Sequence, residues 1–188
     1  MPLPRGASMP FAMAEATTHA RSFEELRPTV LARLMEVRSS LDHGLARLEE
    51  GDARAQLESI VDHIHAFLAT GDRGPLRGFL RSVMTMRAAE GLAAENLLHA
   101  VVGIGDVCVQ VVDKSAEGSE GSPAERGEEV GLPRPGGSTP PERAGIAELV
   151  CALTHTNAVL TRLVVELIAD ELARRLLQRE RMAAGSES

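Results

Sequence analysis

The sequence predicts an all-α protein: a bundle of five to six helices with a long disordered insertion before its last long helix. Three observations predict it. Ala, Leu, Arg and Glu dominate the 188 residues, and these favour helix. Aromatic residues are only 2% of the chain, with no Trp and no Tyr, which argues against a β-sandwich or barrel. Apolar residues recur at steps of three and four, the helical period.

The elements follow in order. Met1 to Ala20 carries Pro2, Pro4 and Pro10 and no apolar stripe. Arg5 is present, but Gly6, Ser8 and Pro10 break the stretch where a signal peptide has its apolar core. Residues 1–21 are therefore expected to be a mobile tail, with one helical domain over 22–182. Ser22 and Glu25 form a capping-box pattern, but Pro28 sits too deep for an undisturbed helix from there. The first main helix is placed from about Pro28, where proline suits the first position. Val30, Leu34, Val37, Leu41, Leu45 and Leu48 form its stripe, and Glu49 to Gly51 end it. Asp52 is the expected cap of a second helix, with Leu57, Ile60, Val61, Ile64, Phe67 and Leu68 inward. Gly71 closes it and Gly74-Pro75 opens a third, which carries Leu76, Phe79, Leu80, Val83 and Met84 and stops at Gly91. A fourth, from about Ala93 to Asp113, is apolar nearly all round, as a central helix is.

Residues 115–142 differ: 21 of the 28 are Gly, Glu, Pro or Ser, too polar a mix to offset the entropy of ordering. They are expected to be a disordered insertion within one domain. Thr139-Pro140-Pro141-Glu142 then gives a capping box with proline at the first helical position. The helical pattern runs on to about Met182, with residues 183–188 a frayed tail. Unbroken, that helix would span about 60 Å at 1.5 Å per residue. It must then either break near Thr154 to Asn157 or project.

Composition excludes several function classes. The formal net charge of −7 is a poor footprint for nucleic-acid binding. No apolar run is expected to approach the length that crosses a bilayer, so a cytoplasmic protein is expected. Cys108 and Cys151 are the only cysteines, too few for a disulfide framework or a Cys-based zinc site.

The run Gly71-Asp72-Arg73-Gly74-Pro75-Leu76, then Phe79-Leu80, Arg87-Ala88-Ala89-Glu90-Gly91-Leu92 and Leu97-Leu98-His99-Ala100, resembles the N-terminal regulatory domains of RsbR-type proteins, the RsbT co-antagonists of bacterial stress signalling. The likeness covers roughly Leu31 to Val112 and resumes from Ile146 to Leu177. It rests on helix punctuation more than on chemistry. It implies a globin-like helical fold without haem, a dimeric sensory or scaffolding module, and partners of the STAS-domain or switch-kinase type. The family usually adds a STAS domain with phosphorylatable Ser or Thr; nothing after Leu177 matches one, and residues 115–142 are outside the pattern.

The residues themselves offer little chemistry. His63 and His65 are two apart, so on a helix they point to opposite sides and cannot share one ion. Asp62 and His65 can, but two ligands are too few for structural zinc. Haem needs an axial His in an apolar pocket; His63, His65 and His99 all fall on helices, where an ordinary His is the simpler reading. His155 is the candidate for phosphotransfer, although the acidic or lysine neighbours of such boxes are absent. Gly103-Ile104-Gly105 lacks the preceding strand and the third glycine of a phosphate loop. No Gly-x-Ser-x-Gly elbow occurs. Cys108 and Cys151 read as small hydrophobes.

The expected function is therefore a regulatory or sensory interaction module of a bacterial signalling system, not an enzyme, with no cofactor and no metal. It is expected to be a homodimer that binds neither nucleic acid nor membrane. Leu160, Leu163, Leu167 and Leu172 are the expected seam, because they keep coiled-coil-like spacing. Arg174 and Arg175 begin a basic end suited to the helix dipole or to an acidic partner. The alternatives are a histidine-phosphotransfer or kinase-dimerisation-like module using His155, and a small-ligand or haem-binding sensor.

Overall fold

The computed structural model describes residues 9–118 and 140–185, with side-chain environments over 16–93, 96–115 and 144–182. Among the described residues there are six helices and no strand: α1 (Met9–Leu41), α2 (His43–Arg47), α3 (Glu50–Thr70), α4 (Arg73–Ala89), α5 (Ala94–Gly118) and α6 (Pro140–Gly185). The all-α bundle is as the sequence predicts.

Its first helix is not. α1 begins at Met9, so much of the expected tail is helical, and Pro28 lies inside the helix. Burial explains this: Phe23 is wholly enclosed and Ala20 nearly so, which gives the segment before Pro28 a place in the core. Proline removes the donor to the carbonyl four residues earlier, but both Pro28 and Glu24 are exposed, where water can serve that carbonyl. The predicted run from Pro28 to Leu48 breaks instead at Asp42. That residue is extended, and its Oδ1 accepts from the Gly44 N–H at 3.1 Å to cap α2.

The next boundaries follow local chemistry. Asp52 falls in the first turn of α3 rather than at its cap, where its charge still suits the helix dipole. Gly71 ends α3 at φ 68, a left-handed conformation that glycine takes without strain, and donates to the Phe67 carbonyl at 2.7 Å. Asp72 then caps α4 by accepting from the Gly74 N–H at 2.8 Å. α5 runs on to Gly118 and α6 starts at Pro140, so both edges of the 115–142 segment are helical. Its middle, 119–139, lies outside the described residues.

α6 is continuous over 46 residues, about 69 Å at 1.5 Å per residue. It does not break at Thr154 to Asn157. The hydroxyls of Thr154, Thr156 and Thr161 donate to the carbonyls four residues earlier at 2.7–2.8 Å, so these polar groups are satisfied within the helix.

α5 occupies the centre, packed against α6 on one side and α1 on another. Leu97, Val101, Ile104, Val107, Cys108, Val111 and Val112 are buried there. Close approach to α6 depends on Gly105, where a Cβ would fall 2.1 Å from Asn157 Cγ. The glycine pair of the sequence is thus a packing device: at Gly103 a Cβ would meet Leu41 Cδ2 of α1 at 2.6 Å.

By length and composition, Asn96–Ser115 and Ala144–Met182 are apolar enough to cross a membrane, contrary to the expectation of no such run. The first of these is 50% buried inside the bundle and the second 39%.

Candidate functional site

The site is the end of α6, which outruns the bundle. Leu149, Leu153, Val159, Leu160, Leu163, Val164 and Leu167 face the core. Beyond Leu167 the neighbours run out. Ile168 is half-buried, and Leu172, Leu176, Leu177 and Met182 are exposed by 56, 60, 54 and 77%. Val165, one turn earlier on the outer side, is 50% exposed.

This placement corrects the expected seam. Leu160, Leu163 and Leu167 are at most 5% exposed and belong to the core of their own bundle. Of the four predicted leucines only Leu172 is available to a partner. The physical reason is that α5 and its neighbours cover this face of α6, so the leucine spacing served intramolecular packing. Val165 and Leu176 are the residues the sequence reading did not select. Their signal is a second stripe, Val165-Ala169-Leu172-Leu176, offset from the core stripe on the same helix.

Ion pairs fasten the root of the extension. Arg77 of α4 reaches Asp170 at 3.5 Å and Glu166 at 4.0 Å. Arg174 and Arg175 both turn back to Glu171, at 3.0 and 2.9 Å. Each is an exposed pair worth little stability, but together they fix the polar pattern on this surface. A groove of about 530 Å³ runs between the end of α4, the α4–α5 turn and α6, with Met84, Leu92, Leu97, Ile168 and Leu172 in its walls.

A second feature lies within the bundle. α3, α4 and α5 form a half-open apolar cleft of about 250 Å³ walled by Leu57, Ile60, Phe79, Val83, Met86 and Val101 among others. Arg87 borders both this cleft and the groove. Its guanidinium pairs with the carboxylate of Asp42, and both side chains are buried. In the sequence Arg87 is visible only as part of a helix-end pattern, because it meets Asp42 only in the folded chain.

The remaining candidates are dispersed. His155 is exposed on the outer side of α6. His63 stacks on Phe79, with ring centres 4.3 Å apart, and its Nδ1 lies 2.7 Å from the Ser59 carbonyl. His65 lies 3.8 Å from Glu24. Among the described residues no group of three or more His, Cys, Asp or Glu side chains gathers as a metal site. Cys108 is buried, and burial pushes its thiol from an ordinary 9.0 up to about 12. Cys151 is exposed, against the expectation of a second buried thiol, because it falls on the uncovered side of α6.

No protein-family model, no curated protein and no solved structure matches the chain. The resemblance to RsbR-type regulatory domains therefore stands on the quoted motifs alone.

Proposed function

We propose that the chain is a regulatory protein-interaction module of a bacterial signalling system, acting by dimerisation and partner binding rather than by catalysis. The observation that supports this best is the uncovered stripe of Val165, Ala169, Leu172 and Leu176 on a helix that outruns its own bundle. Exposed apolar side chains in one continuous patch mark interaction surfaces. The quoted motif resemblance adds STAS-domain or switch-kinase proteins as partners. Light scattering on the full chain tests the reading. A dimer mass is expected at micromolar concentration, and Leu176→Asp is expected to give a folded monomer. A monomer mass for the unaltered chain defeats self-association.

A second reading, a sensor for a small ligand, is favoured by the 250 Å³ apolar cleft. An apolar space of this kind takes an uncharged apolar molecule rather than water. Small aromatic or aliphatic solutes should raise the unfolding midpoint, and Val83→Trp, which fills the cleft, should remove the effect.

A further inference from the structure

We infer that the projecting end of α6 pairs with the same segment of a second copy in antiparallel order, in a register that sets Val165 against Leu176 of the other copy. This rests on the interaction-module reading and adds to it the occupant and its direction.

The first argument is spacing. Val165, Ala169, Leu172 and Leu176 are all exposed on the side of α6 turned away from Leu160, Leu163 and Leu167. Their steps are four, three and four. A stripe with these steps is a coiled-coil seam. Read backwards, the steps are unchanged, so the stripe fits a reversed copy of itself. Reversal gives four layers. Val165 meets Leu176 in the outer two, and Ala169 meets Leu172 in the inner two, a small side chain against a large one. Parallel pairing gives Ala169 on Ala169, which leaves a gap between the two helices.

Charge agrees with the reversed order. Residues 174–181 carry Arg174, Arg175, Arg179 and Arg181 against one Glu180, with Glu171 beside the first two. Parallel pairing lays two such ends side by side. Antiparallel pairing instead lays each beside the stretch around Arg162 and Glu166, which balance. Arg162 and Glu180 lie eighteen residues apart, about five full turns, and so on the same side of the stripe. In the proposed register Arg162 of each copy approaches Glu180 of the other, once at each end of the pair. Arg162 is 74% exposed and pairs through Nε with Glu166 of its own helix at 3.0 Å, so its two terminal nitrogens are the groups that reach Glu180 of the second copy. Small Ala158, also exposed, stands near where the Met182 end of the second copy arrives. The mixed charges flanking the stripe suit a second copy better than an anionic lipid surface, which calls for a basic flank.

Cysteine pairing tests the orientation in the full chain. Cys151→Ser removes the exposed native thiol, and buried Cys108 stays. Val165→Cys, Leu176→Cys and the double variant are then oxidised and compared on non-reducing gels, with mass by light scattering. The double variant should give a covalent dimer, and each single variant should give little. Within one helix the two positions are about 16 Å apart, too far for an internal disulfide. In a second arm Arg162→Glu should weaken dimerisation about fivefold at low salt, and adding Glu180→Arg should restore it. Dimers of the single variants would show parallel pairing and overturn the orientation, while the interaction-module reading stands. A dimer mass without cross-linking in any variant overturns the register alone. A monomer mass throughout overturns both.

Discussion

The two halves of α6 belong to one unbroken helix and face different surroundings. Up to Leu167 its leucines are covered by α5 and the other helices; from Leu172 on they face water. Helix-forming residues and apolar spacing are common to both halves. The difference lies in what packs against them, and it teaches that a helical stripe announces a contact without saying whether the contact is within the chain or between chains.

Substitutions can break or sharpen this contrast, and the largest effect is expected in the bundle. Arg87→Met leaves the enclosed carboxylate of Asp42 without its partner, which should cost about 3–5 kcal/mol in denaturant unfolding. A cost below 1 kcal/mol would mean that water reaches Asp42. Leu160→Ala, at a position with no exposure, should cost about 2–5 kcal/mol. Gly105→Ala forces Asn157 aside where α5 and α6 approach, for about 1–3 kcal/mol. At the other end of α6, Leu176→Ala should change unfolding of the isolated protomer by no more than about 0.5 kcal/mol. If its cost instead matches that of Leu160→Ala and depends on protein concentration, the extension is part of an assembled core.

The cysteines give the same contrast in a chemical signal. An aromatic disulfide reagent at pH 8 should titrate one thiol, Cys151, in the native chain and two after unfolding. The Cys108 thiol is raised in the folded state from 9.0 to about 12. Its contribution to stability is therefore complete below about pH 9 and is lost as pH rises from there towards 12. A native chain in which both thiols react equally fast at pH 8 would show that α5 opens readily.

Much of the bundle was legible in the sequence because its signals are local. Gly71 and Gly91 punctuate helices by their own left-handed backbone, and the stripe of α3 is uninterrupted. What was misplaced depended on distant contacts. The start of α1 is decided by the burial of Phe23 and Ala20, and proline rules at Pro28 argued against it. The break at Asp42 is tied to Arg87, forty-five residues on. The expected seam named Leu160, Leu163 and Leu167 for the same reason: their spacing is visible locally, while the helices that cover them are not. Leu172 was the one member of the set beyond that cover.

The placement of α1 against α3 and α5, and of α5 against α6, has a consequence for how the chain is made. Phe23, Val30 and Leu34 of α1 are synthesised before α5 and α6, which are among the layers that pack against it. Until α5 and then α6 have left the exit tunnel, the nascent chain displays an open apolar trough. Such half-built intermediates are the species that chaperones hold and that aggregate when crowded. Slow translation through residues 119–139 would prolong that exposure, whereas faster delivery of α6 would end it.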